Sequence, residues 1–152
     1  MRRFFERGGG WVAGQFVLLA CLLGLSVLHP SAGPALWRFA GVLVLVVALA
    51  VAVAGVTALG RNLTPFPKPA DHADLVQRGI YAKIRHPLYA AVILAGFGWA
   101  LTWLSWPALL AAVTRIPFFH AKFCREEGFL RQKFPGYREY ETRTRRFIPW
   151  IY

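Results

Sequence analysis

Residues 36–59 carry one charge, Arg38, and otherwise run through valine, alanine and leucine with hardly a polar residue. Apolar residues clumped in this way, rather than spaced along one helical face, point to a bilayer as solvent. Valine is a poor helix former in water. In lipid a helix is still required, because each backbone N–H and C=O must find its partner within the segment. The rest of the chain has to be arranged around a run that crosses a membrane.

Three more segments follow the same logic. Residues 11–28 hold only Gln15 and Ser26 as clearly polar positions, at a length near the minimum for crossing a hydrocarbon core about 30 Å thick. Residues 87–104 and 107–126 supply the third and fourth spans. The uncharged turns His29-Pro30-Ser31-Ala32-Gly33-Pro34 and Ser105-Trp106-Pro107 separate the members of each pair. Pro117 is expected to kink the last helix. That helix is expected to leave the membrane and run to about residue 134, where Pro135-Gly136 breaks it. Residues 60–86 form a polar connector. Pro65, Pro67 and Pro69 hold its middle extended, and residues 71–77 suit a short interfacial turn. The expected fold is a single all-α integral-membrane domain over 1–152. It has four transmembrane helices in two hairpins, a cytosolic helical extension and a tail over 127–152. Charged residues make up 16% of the chain, against about 25% in an ordinary soluble domain.

Charge fixes the expected orientation. The formal net charge is +11, and 17 of the 18 lysines and arginines fall in residues 1–10, 60–86 and 115–152. Arg38 alone flanks the opposite end, so the basic end is cytoplasmic by the positive-inside rule. All seven acidic residues share that end. The basic residues flank spans rather than forming a stripe, and no nucleic-acid signature accompanies them. Trp11, Trp37, Trp103 and Trp106 lie near span ends and read as interfacial anchors. Cys21 and Cys124 have neither a disulfide framework nor metal-ligand spacing around them. Met1-Arg2-Arg3 before an apolar run looks like a secretion signal. No small-residue cleavage pattern follows, so the first span reads as retained. The expectation is a bacterial inner-membrane protein with both termini in the cytoplasm.

Two polar clusters interrupt this scheme. The first is Gly79-Ile80-Tyr81-Ala82-Lys83-Ile84-Arg85-His86-Pro87-Leu88-Tyr89. Pro87 suits the first turn of a helix, and a helix mouth with free amides suits an anionic group. Arg85 adds a cation able to grip a carboxylate in bidentate fashion. His86 and Tyr89, three apart, share a face. On spacing alone the cluster serves equally as a site or as an interfacial anchor. The second cluster is Lys122, Glu126 and Glu127, where Lys122 and Glu126 are spaced for a simple i,i+4 ion pair. The clusters sit on the two arms of one hairpin, so both emerge at the same membrane face. A pocket between them would suit a zwitterionic or cationic soluble cofactor and an apolar substrate from the bilayer.

The ordered pattern resembles the isoprenylcysteine carboxyl methyltransferase family and, in part, the phospholipid methyltransferases. It comprises Gly79-x-Tyr81, Arg85-His86-Pro87-x-Tyr89, Glu126-Glu127-x-x-Leu130-x-x-x-Phe134, Tyr137-x-x-Tyr140 and Ile148-Pro149. The resemblance spans about residues 65–150. It implies an integral-membrane enzyme that uses S-adenosylmethionine in a pocket at the cytosolic face, covered by the C-terminal tail. Carried over, Leu75, Val76, Tyr81, His86, Pro87, Leu88, Tyr89, Glu126, Tyr137 and Tyr140 would bind the cofactor. Arg85 would orient an anionic group, Lys122 would face the substrate, and Glu127 joins the candidate catalytic set. No metal is implied. Two departures stand out: Ala91 replaces the usual glycine, and the segment after Phe134 is one residue shorter than the eukaryotic pattern.

Methyl transfer from a sulfonium is an in-line displacement that rests on positioning and electrostatics, helped by aromatic rings facing the cation. A carboxylate or thiolate acceptor needs no base; an amine or thiol does, and Glu127 or His86 would then serve. The acceptor class is a small lipophilic molecule or lipid headgroup. Two rivals remain from sequence: an NADPH-dependent sterol or isoprenoid reductase of the same fold, with Arg143, Arg145 and Arg146 holding the extra phosphate, and a non-catalytic membrane subunit.

Overall fold

The computed structural model describes residues 2–147, with side chains from Phe4 onward. Six α-helices follow in order: α1 (Arg2–Glu6), α2 (Gly9–Leu28), α3 (Ala35–Leu59), α4 (Pro87–Trp103), α5 (Trp106–Lys133) and α6 (Tyr137–Arg143). Short 3-10 turns occupy Gly60–Asn62 and Gly79–Ala82. Among the described residues, extended segments meet only at a parallel bridge between Ile84 and Arg145. The architecture is all-α, as the apolar runs required.

α2 and α3 are long and apolar enough to cross a membrane. Little of either is buried within the chain: Phe16, Val17, Leu36, Phe39 and Leu49 all point outward. Such surfaces are at home in lipid. α4 has 17 residues, about 26 Å at 1.5 Å per residue. It stops at Trp103 because Leu104 takes a left-handed backbone, φ 52°, and its N–H returns to Ala100 and Leu101. α5 runs unbroken through Pro117 for 28 residues. Its end at Lys133 lies one residue from the expected break. Prolines stand at the N-terminal turns of both α4 and α5, where a missing N–H costs nothing.

The α3–α4 contact is made by absent side chains. A Cβ on Gly41 would lie 2.5 Å from the Thr102 nitrogen and 2.8 Å from the Gly98 oxygen. At the other end of α3, a Cβ on Gly55 would lie 2.7 Å from Leu88 Cδ2. The backbones therefore approach closely, and packing supplies what the hydrophobic effect cannot supply in lipid. Ala91, where the family pattern has glycine, is 3% exposed and accommodated within this packing.

α2 packs chiefly on α5, with a small buried cluster of Leu22, Ala100, Ala108 and Ala112 at its heart. The Ser105 hydroxyl accepts from the Ala108 nitrogen and donates to the Leu25 oxygen, pinning the α4–α5 turn to α2. Neighbouring helices pack on each other as a hairpin would in the α4–α5 pair, but not in the α2–α3 pair. α2 and α3 are joined by a short turn, yet α3 presents its glycines to α4 while α2 lies mainly against α5.

Candidate functional site

The first cluster is built by backbone geometry. Gly79 has φ +60°, a conformation that favours glycine, and it starts the 3-10 turn that buries Tyr81. His86 is the N-cap of α4 and Pro87 its first residue. The two amides that lead into the helix mouth are taken by the C-terminal segment. The amides of Arg85 and His86 donate to the carbonyls of Arg145 (2.7 Å) and Arg146 (3.0 Å), and the Arg145 amide donates to Lys83 O (3.0 Å). The C-terminal segment is thus stitched across the motif.

Arg85 is engaged in the same clamp. Its Nε donates to Glu127 Oε1 at 3.1 Å, and Nη1 to the carbonyls of Thr144 (2.7 Å) and Glu141 (3.1 Å). Glu127 is the hub. Its Oε1 also accepts from His86 Nε2 at 3.2 Å, and its Oε2 accepts from Arg146 (3.2 Å) and Arg131 (3.4 Å). A carboxylate can only accept, so His86 Nε2 carries the proton in this contact. Burial alone would push the Glu127 carboxyl up. The hydrogen bond and charge of His86, the Arg146 bond and the Arg85 charge outweigh it and hold the group down at about 2. So low a value suits a fixed counter-charge better than a general base.

Glu126, one residue earlier and about 100° round the helix, faces a different space. A cleft of about 800 Å³, counted with its open mouth, lies between the connector, α4, α5 and α6. Leu75, Val76, Tyr81, His86, Leu88 and Tyr89 line it, together with Glu126, Tyr137 and Tyr140. Arg85 lines it as well. The Tyr89 hydroxyl donates to Glu126 Oε2. The Tyr140 hydroxyl donates to Tyr81 O at 2.7 Å, locking α6 to the 3-10 turn. The Tyr137 hydroxyl is buried and meets no partner among the described residues. Burial, above all, raises the phenols of Tyr81, Tyr137 and Tyr140, with Glu126 adding to it at Tyr81 and Glu127 at Tyr137. All three remain neutral donors.

Three candidates stand outside the cleft lining: Pro87, Glu127 and Lys122. Lys122 is 1% exposed. It donates to Gln15 Oε1 on α2 and to Pro65 O on the connector, with its Nζ 5.3 Å from the Tyr89 ring centre. The simple ion pair with Glu126 is replaced by these two tethers. The His86 ring lies between those of Tyr89 (5.5 Å) and Phe123 (5.1 Å), so it holds Tyr89 against the cleft. Ile148-Pro149 and the tail beyond lie outside the described residues.

Of the connector's share of the wall, sequence reasoning had Leu75 and Val76 but missed the rest. Asn62, Thr64, Phe66 and Asp74 line the cleft, as do Leu130 and Phe134 from α5. Asn62 and Asp74 hold the connector's ends together through side chain to backbone hydrogen bonds at 3.3 and 3.4 Å. Lys133 donates to the carbonyls of Ala70 and Asp71 and pins the strap from below. The expected interfacial turn at 71–77 shrinks to Asp71-His72. The extended proline run was visible in sequence; its course over the cleft depends on lysines more than 50 residues away.

Comparison with known proteins fits this geometry. The sequence profile of the phospholipid methyltransferase family matches residues 36–136. No curated protein matches the sequence. Among solved structures, that of the eukaryotic intramembrane Ras methyltransferase, isoprenylcysteine carboxyl methyltransferase, without a monobody, superposes with a TM-score of 0.69 at 18% identity. The superposition covers 99% of this chain and 53% of the other, so the chain spans about half the neighbour's length. At that identity the likeness speaks for the fold. With its two long apolar helices, that fold makes the chain an integral-membrane protein. The profile match takes in α3, the connector, α4 and α5, well over half of the sequence, and the chain belongs to the phospholipid methyltransferase family.

Proposed function

We propose that the chain is an S-adenosylmethionine-dependent methyltransferase acting on a small lipophilic or membrane-embedded acceptor at the cytosolic membrane face. The observation that carries this reading is the cleft itself. It gathers the motif tyrosines, Glu126 and the connector at the basic end of the helices.

The lining fits the cofactor's chemistry. A buried, unpartnered hydroxyl at Tyr137 offers a donor, Glu126 offers an acceptor for an ammonium or hydroxyl, and Phe66, Tyr81 and Tyr89 offer aromatic walls. When bound, the cofactor supplies an activated methyl group and the cation that aromatic faces attract. Tyr89 orients Glu126 through its hydroxyl. His86 stacks behind Tyr89, and Arg85 with Glu127 holds the C-terminal segment against the cleft. Lys122 ties α2 and the connector to the substrate side. We read α4 and the apolar part of α5 as the third and fourth spans, with the basic end in the cytoplasm.

The reductase reading gains no support. Arg143 pairs with Glu139 and Arg146 with Glu127, so these tail arginines are not gathered for a phosphate.

The test is calorimetric titration of the purified protein in uncharged detergent with S-adenosylmethionine and its demethylated product. Saturable binding, weakened at least tenfold in Tyr137→Phe or Glu126→Gln, is expected. No binding in a folded protein overturns the reading. Incubating membranes with methyl-labelled cofactor, then extracting by polarity, identifies the acceptor.

A further inference from the structure

Arg115 lies near the middle of α5, 3% exposed, on the buried face that continues through Phe119 and Lys122. Its Nη1 would lie 2.7 Å from a Cβ on Gly96 of α4, so the guanidinium fills the notch that glycine leaves. The guanidinium carbon stands 5.8 Å from the Phe119 ring centre. Its Nε is buried and meets no acceptor among the described residues. One turn along α4 from Gly96, the Trp99 Nε1 is likewise a buried donor without an acceptor. Trp99 packs against the cluster that contains Ala112, one turn before Arg115.

Two buried donors on the facing helices α4 and α5, one of them cationic, ask for an acceptor that the described residues do not supply. All seven acidic residues lie at positions 6, 71, 74, 126, 127, 139 and 141. The closest along α5, Glu126, is 11 residues or about 16 Å of helix rise away. An unpaired charge inside an apolar bundle is costly, and each unmade hydrogen bond adds to that cost. A ligand that only accepts relieves both at once. The outer flank of α5 beside Arg115 is apolar and exposed, at Leu110, Val113 and Ile116, so the approach is from the bilayer.

We propose that Arg115 and Trp99 form a binding site for the oxyanion of a lipophilic molecule, between α4 and α5 and separate from the cofactor cleft. Neither residue lines that cleft. The Arg115–Phe119–Tyr89 series of ring contacts, 5.8 and 5.4 Å, joins the two places. The site does not depend on the chain's being a methyltransferase. A long-chain carboxylate and a long-chain alkyl phosphate share the required chemistry.

The test uses the full chain in phosphatidylcholine nanodiscs, with binding of radiolabelled palmitate and radiolabelled dodecyl phosphate read by scintillation proximity. At least one should bind saturably and resist displacement by methyl palmitate. Which one binds distinguishes carboxylate from phosphate. Arg115→Gln should weaken that binding at least tenfold, Arg115→Lys should retain part of it, and Trp99→Phe should weaken it several-fold. Trp99→Phe keeps an aromatic ring in place, so it decides the matter if Arg115→Gln fails to fold. Saturable binding of neither probe, equal displacement by the uncharged ester, or unchanged binding in the folded variants overturns the proposal. Cofactor binding in Arg115→Gln should stay at the wild-type level.

Discussion

Glu126 and Glu127 are adjacent in sequence and opposite in circumstance. Glu126 lines the cleft and takes one hydrogen bond, from Tyr89. Glu127 is 1% exposed and meets Arg85, His86, Arg131 and Arg146. The first faces a space that a ligand can fill. The second closes a clamp that joins α5, the α4 mouth and the C-terminal segment. A helix turns about 100° per residue, so neighbours on one helix serve two different structures. In this chain a carboxylate's use is set by the face it occupies.

The sharpest way to break the contrast is Glu127→Ala. It leaves Arg85 and His86 buried around a missing counter-charge, a change that costs about 3–5 kcal/mol when a buried pair loses one partner. The thermal midpoint in detergent should fall and trypsin should cut rapidly at Arg143 or Arg145. An Ala variant with wild-type melting and a protected tail would show that Glu127 is not the hub.

Acid probes the same contact. The Glu127 carboxyl lies at about 2 against an ordinary 4.5, so the folded state prefers its ionised form. The stabilisation is fully present above about pH 4.5 and is lost as pH falls toward 2. Tail protection followed by proteolysis with pepsin, or by hydrogen exchange, should decline across that window in wild type. Glu127→Gln should be flat there. Parallel declines in both proteins would assign the acid response to other groups.

On the cleft side, Glu126→Gln should change little in melting but weaken binding of the demethylated cofactor at least tenfold, about 1.4 kcal/mol. A Gln variant that melts early and binds normally would reverse the roles of the two carboxylates. The smallest effect is expected from Tyr140→Phe, which removes one buried hydrogen bond to Tyr81 O, worth about 1 kcal/mol. It should loosen α6 and raise the cofactor dissociation rate while leaving the α3–α4 contact unaffected.

Much of the fold was legible because lipid imposes a strict demand: 36–59 and 11–28 could satisfy their backbones only as helices. Pro87 and Pro107 marked helix starts for an equally local reason, the missing N–H. The packing partner of α2 was not legible, since a short turn suggests a hairpin and it is the Gly41–Thr102 and Gly55–Leu88 approaches that commit α3 to α4. Lys122 shows the same limit. Its spacing to Glu126 fits an ion pair, but Gln15 and Pro65 reach it first. Both belong to elements whose positions depend on the whole bundle.

The sequence by itself determined the solvent of the helices, the basic end and the identity of the tyrosines and carboxylates that meet there, because hydropathy, charge and spacing are local properties. The tertiary structure alone decided which group faces the cleft and which faces counter-charge. It placed Glu126 on the cleft, surrounded Glu127 with cations, and left the Arg115 Nε and the Trp99 Nε1 without acceptors among the described residues. Those outcomes depend on helix rotation and on contacts between residues tens of positions apart, which no local pattern encodes.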